Sequence, residues 1–218
     1  MVFSILLAFA INAWWAGRQE QARERDLLAG LLADFQSTRP DLAARLQMAN
    51  RMAPNGAVLR DLMASSPEGR PVQVPDSLVI AVIGSPTYQP ATNTLDAALA
   101  SGEIELIRSP EIRREIASWR LTLDDTFESE RDVRAITNEQ VVPTLSRHVT
   151  LGPLLDHTVE WSYARFEPSG QATLRTSKEL AGALGLRLFY QSFEVDGFEE
   201  LRASLDRLVS LLEAELEK

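Results

Sequence analysis

The chain has 218 residues, a hydrophobic fraction of 45%, a charged fraction of 24% and a formal net charge of −9. This is the composition of a folded globular chain and excludes global disorder. The acidic balance argues against nucleic acid as a partner, because phosphate recognition needs a basic stripe. With no cysteine, disulfides, zinc-thiolate sites and cysteine nucleophiles are excluded as well.

The first fifteen residues carry no charge and end in Trp14 and Trp15, and Arg18, Glu20, Arg23, Glu24, Arg25 and Asp26 come directly after. An apolar helix, an aromatic pair and an abrupt charged continuation mark a chain leaving a bilayer. Residues 1–17 are therefore expected to be a membrane anchor, with Trp14, Trp15 and Arg18 at the interface, and residues 18–218 to form the body. Fifteen helical residues cover roughly 22 Å, short of a hydrocarbon core of about 30 Å. The segment reads as the end of a full span whose upstream residues precede Met1. The alternatives are a short span with local bilayer thinning and an apolar helix buried in a soluble core or an oligomer. A cleaved signal peptide fits poorly, because there is no basic region before the apolar run. Asn12, inside that run, reads as lying at headgroup depth or facing a helix partner. Arg18, Arg23 and Arg25 after the span would hold the body in the cytoplasm by the positive-inside rule.

Beyond the anchor, Leu27, Leu28, Leu31, Leu32 and Phe35 recur at three- and four-residue spacing, so the helix continues into the body. Ser37-Thr38-Arg39-Pro40 predicts a new cap or a bend, and Pro54-Asn55-Gly56 predicts a closing turn. A short helix over residues 57–64 and a loop over residues 65–71 come next. Val72-Gln73-Val74 is a weak extended piece. The apolar run of residues 78–83, capped by Asp76 or Ser77, fits a short helix or a buried strand. The next helix begins at Thr92 or Asn93 and ends at Gly102 with a left-handed cap. Ser109-Pro110-Glu111 is a strong helix start. From it Ile112, Ile116, Trp119, Leu123 and Phe127 run on as an amphipathic helix to about Pro143 or His148. Residues 151–171 are a connection with turns. Thr176-Ser177 opens the last helix, whose first face is Leu180, Leu184, Leu188, Phe189 and Phe193. Gly197 weakens its middle, and Leu201, Leu205, Leu208, Leu212 and Leu216 form one stripe. The expected fold is all-α: an N-terminal membrane helix continuing into an up-down bundle with three long helices and several short ones.

Three pieces together carry a resemblance. They are Ile11-Asn12-x-Trp14-Trp15, then Arg25-Asp26-Leu27-Leu28-x-x-Leu31-x-x-Asp34, then Tyr88 followed by Thr94-Leu95-x-x-Ala98-Leu99-Ala100-Ser101-Gly102 through Ser109-Pro110-Glu111-Ile112-Arg113. The chain resembles an uncharacterised bacterial family of single-pass, membrane-anchored α-helical proteins of unknown function. The resemblance implies an inner-membrane anchor and a helical body. A basic flank before the span, usual in that family, would put the body on the periplasmic side. It implies no catalytic residues.

Catalytic chemistry is not legible. His148 and His157 are nine residues apart with glycine and proline between them, a poor metal pair against two exposed histidines. Asp124 and Glu128 share a helical face and could hold a cation, but with Asp125 and Glu130 they read as a solvated acidic face. No Glu-x-x-His pair, phosphate-binding glycine loop or nucleophile elbow is present. Trp119, Trp161, Tyr163, Phe166, Phe189, Tyr190 and Phe193 could line an apolar cavity, with packing as the simpler role for Trp119 and Phe189. The leucine stripe 201–216 serves either packing within the domain or an oligomer contact. No catalytic, cofactor or metal site is assigned. The expected partners are the lipid bilayer and a second copy or another membrane protein. The expected function is a membrane-anchored scaffold or accessory subunit, with a tethered sensor of a small ligand as the alternative.

Overall fold

A computed structural model describes residues 2–149, 151 and 170–218, with side chains from residue 10 onward. The elements are α1 (Val2–Ser65), β1 (Pro71–Pro75), α2 (Asp76–Ile83), α3 (Asn93–Ser101), a 3₁₀ turn (Glu103–Leu106), α4 (Pro110–Ile136), a π turn (Thr137–Val141), α5 (Val142–Ser146), β2 (Gln171–Arg175) and α6 (Lys178–Leu216). The fold is therefore mostly helical but not all-α. β1 and β2 pair antiparallel, with Val72 opposite Leu174 and Val74 opposite Ala172. Val74 and Leu174 are buried and the alternate residues are not, which is the period-two pattern of a half-covered strand. The expected connection up to residue 171 ends one residue into β2.

The long first helix corrects two expected breaks. Pro40 and Pro54 both lie inside α1, on its exposed side. A proline deprives the carbonyl four residues earlier of its donor; on the exposed side, water can take that place. Ser37 and Thr38 donate their hydroxyls to the Asp34 carbonyl instead of capping a new helix. Gly56 is not a turn residue either. It is buried, and a Cβ there would stand 3.1 Å from Cδ2 of Leu188, so it admits α6 at close range. Several expected boundaries hold. Gly102 closes α3 at φ 78°. Ser109 Oγ accepts from the Ile112 amide at the start of α4. Ser177 Oγ accepts from the Leu180 amide at the start of α6.

The chain forms two compact units, and α1, α4 and α6 each contribute a segment to both. Unit 1 takes Met1–Leu42, Gln89–Leu121 and Leu201–Lys218. In it Phe35 packs edge-on against Trp119 with ring centroids 5.1 Å apart, Arg39 bonds Asp206, and Glu115 accepts from Ser204 and Arg207. Unit 2 takes Ala43–Tyr88 and Thr122–Glu200. Its apolar core joins Leu59 and Met63 of α1, Val79 and Val82 of α2, Val141 and Leu145, the strand residues Val74 and Leu174, and Leu180 and Leu184 of α6.

Helix direction corrects the expected up-down order. In unit 2, Arg45 meets Glu194 while Gly56 meets Leu188, so α1 and α6 run antiparallel. Thr126 meets Gly197 while Thr137 meets Arg187, so α4 is antiparallel to α6 as well. Thus α1 and α4 run parallel there. In unit 1, Glu24 meets Arg108 while Phe35 meets Trp119, which gives the same sense.

Each long helix buries a stripe at alternating spacings of four and three, the coiled-coil period. In α6 the stripe is Leu180, Leu184, Arg187, Gln191, Glu194, Phe198, Leu201, Leu205, Leu208 and Leu212, all buried. The leucine stripe therefore packs within the chain; only Leu216 at its end is partly exposed. In α4 it runs Ile112, Ile116, Trp119, Leu123, Thr126, Glu130, Val133 and Thr137. The π turn then adds one residue, so that Val141 and Leu145 continue on the core side and Gln140 stays outside.

Candidate functional site

The N-terminal segment differs from everything after it. From Ala10 to Arg23 no side chain of α1 is buried, and Ile11, Trp14 and Trp15 are 56%, 57% and 58% exposed. At Glu24 the buried stripe begins and continues through Leu28, Leu31 and Phe35. Residues 10–16 thus do not pack in this chain's own core, one of the placements open for the apolar segment. The two indoles lie with centroids 6.2 Å apart, and the Arg18 guanidinium stands 5.0 Å over the Trp14 ring. Helical spacing produces that cation–π contact, since residues four apart share a face. No helix among the described residues is long and apolar enough to cross a membrane, which leaves the expected spanning anchor over residues 1–17 unsupported.

The charged turns just beyond bind the stalk to its unit. Arg23 Nη2 donates to Glu103 at 2.9 Å, and Arg25 Nη2 to the Leu216 carbonyl at 2.7 Å. Glu24 accepts from the Arg108 amide at 2.6 Å. Two of the three arginines expected to flank a span are therefore engaged with the protein.

A second arrangement, buried in unit 2, escaped the sequence reading. Arg45 on α1 lies between Glu130 on α4, at 3.3 Å, and Glu194 on α6, with which it forms a short charge-assisted bond. Its guanidinium sits 4.7 Å from the centre of the Phe198 ring. Glu130 also accepts from the Tyr88 amide at 3.0 Å. Beside them Arg187 donates to the Thr137 hydroxyl at 3.0 Å, to the Gln191 side-chain oxygen at 2.7 Å and to the Gly84 carbonyl at 2.9 Å.

Burial sets the titration of this cluster. Loss of hydration pushes the Glu130 and Glu194 carboxyls above their ordinary value, and the attraction of Arg45 only partly opposes it. Loss of hydration pulls Arg187 down to about 10. Arg45 and Arg187 face Glu130 and Glu194, and every donor group named for these two arginines has an acceptor, so they form a buried polar layer; Arg134 also acts on Glu130, and its buried Nε has no hydrogen-bond partner.

Of the other expected residues, Trp119 is fully buried in unit 1. Phe189 and Phe193, expected inward, are 57% and 48% exposed, and together with Tyr190 they make a surface group of edge-on rings. Asp124 and Glu128 are exposed as expected, but Glu130 of the same stretch is the buried partner of Arg45. No group of three acids or histidines among the described residues could hold a metal ion. His148 is partly exposed at the end of α5. His157, Trp161, Tyr163 and Phe166 lie outside the described residues. No protein family, curated protein or solved structure matches the chain.

Proposed function

We propose that the chain is a membrane-associated helical scaffold or accessory subunit without chemistry of its own, held at a bacterial inner membrane by the start of α1. A body on the periplasmic side is favoured only through the basic flank usual before the span in the family that the chain resembles. The observation that carries the reading is the contrast within one helix. The same α1 that buries a regular stripe from Glu24 onward leaves Ile11, Trp14 and Trp15 in the open at its beginning. Two tryptophans and an isoleucine on a helix without protein cover fit the interfacial region of a bilayer, where indole rings are enriched.

Membrane sedimentation tests the reading. The untagged chain should pellet with membranes from a detergent-free lysate. Replacing both indoles (Trp14→Ser with Trp15→Ser) should lower the membrane-bound fraction by at least about tenfold, given roughly 1.5–3 kcal/mol for each large apolar side chain withdrawn from water. A chain that stays in the supernatant, or a double variant that pellets like the wild type, would end the reading.

A further inference from the structure

We infer that the membrane contact is indifferent or averse to lipid charge: its partner is a neutral, zwitterionic headgroup surface entered by aromatic side chains. This rests on the membrane reading above and adds the class of lipid. The sequence suggests the opposite, because Arg18, Arg23 and Arg25 come after the apolar run in close order.

In unit 1, where α1 begins its buried stripe, most bases are already neutralised by the protein. Arg23 faces Glu103, Arg108 faces Glu24, Arg113 faces Glu105 and Lys218 faces Glu215. Arg39, Arg120 and Arg207 are paired as well, so Arg18, Arg25, Arg114 and Arg202 are left, against a larger number of acids outside ion pairs, Glu20, Asp26, Asp41, Glu111 and Glu217 among them. Arg25 donates to the Leu216 carbonyl, where the last turn of α6 presents the negative end of its dipole. Arg18 lies on the Trp14 ring, so its charge travels with an aromatic group suited to headgroup depth. Lipid-charge recognition uses clusters of about four to eight unpaired bases. This surface has no such excess, and the chain as a whole carries −9. Attraction to an anionic leaflet is therefore absent, and apolar burial of Ile11, Trp14 and Trp15 supplies the binding.

Flotation of the full chain with two vesicle preparations tests this, one of phosphatidylcholine alone and one containing about one-third phosphatidylglycerol. The expected result is binding to phosphatidylcholine at least equal to that on the anionic vesicles, and no loss on raising the salt. Arg23→Ala with Arg25→Ala should leave both values within about twofold. Glu20→Lys with Asp26→Lys should create an anionic preference of more than about tenfold, showing that the assay detects one. Binding that needs phosphatidylglycerol and disappears in salt would overturn the inference while leaving the membrane reading intact. Failure to bind either vesicle would remove the membrane reading itself, and the inference with it.

Discussion

Arg45 stands between two carboxylates, and removing it leaves both buried acids without their counterpart. Arg45→Met should cost about 3–5 kcal/mol, more than Glu194→Gln, because it strands two acids where the glutamine leaves Arg45 bonded to Glu130. Urea unfolding of both variants checks the order. The two glutamates also give a pH dependence whose sign is fixed. Their folded values lie above the ordinary 4.5, so the folded state binds the proton more readily than the unfolded one. Their ionisation therefore weighs against folding at neutral pH, and this cost eases as pH falls from the folded values toward about 4.5. The wild type should gain more stability over that window than Glu194→Gln; equal slopes would contradict the desolvation argument. Asp96 acts oppositely and lower down. Bonds from Thr92 and Arg120 hold it below its usual 3.8, and the stability it lends is lost as pH falls beyond that value. Gly197 offers a steric test. A Cβ there would come within 2.7 Å of the Thr126 hydroxyl, so Gly197→Ala should lower Tm despite the better helix propensity of alanine, and Thr126→Ala should restore part of the loss. None of these residues was visible to a search for apolar stripes. Arg187, Gln191 and Glu194 occupy core positions of the α6 heptad but are polar. A reading guided only by hydrophobic side chains steps across to Leu188, Phe189 and Phe193, and two of those three point outward. The uninterrupted four-three spacing from Leu180 to Leu212 was the signal that could have found them.

The starts of α4 and α6 were legible because they rest on local chemistry: a serine hydroxyl meeting an amide three residues on, with proline or acids in the first turn; the expected cap of α2 by Asp76 or Ser77 is absent, both residues lying within the helix after Pro75. Helix interruptions were not. Proline and glycine read as breaks from sequence, yet their effect depends on which side of the helix they occupy. Pro40 and Pro54 face outward, while Gly56 is buried where another helix approaches. The strand β2 was missed for a related reason: its partner, β1, lies about a hundred residues away, and no local pattern reports such a pairing. The π turn makes an element-scale prediction. It lies immediately ahead of Pro143, whose ring would otherwise press on the Glu139 carbonyl, and it holds one residue beyond the heptad count. Deleting Gln140 should convert it to regular α-helix while Val141 and Leu145 keep their core positions. Deleting Asp125 from the regular part of α4 should rotate every later side chain by about 100° and unfold unit 2. Circular dichroism melts of the two deletions distinguish these outcomes. A Gln140 deletion as damaging as the Asp125 deletion would contradict the register count.

For the molecule as a whole, composition pointed to a folded globular body and the spacing of apolar residues to a helical one. The division into two units could not be anticipated, because α1, α4 and α6 each cross it without a sequence mark. The parallel sense of α1 and α4 was equally hidden, since it comes from the long return through residues 66–109 and not from the pattern of either helix. That arrangement bears on how the protein is made. In both units α6 is the antiparallel partner of α1, and it leaves the ribosome after every other element of the fold. Until its 39 residues emerge, the stripes of α1 and α4 lack the third helix that covers them in both units. Nascent chains halted before Ser177 should therefore be protease-sensitive and held by chaperones, whereas chains released after Leu212 should resist digestion. Consolidation of both units waits for α6, and any attachment of the leading end to lipid precedes it.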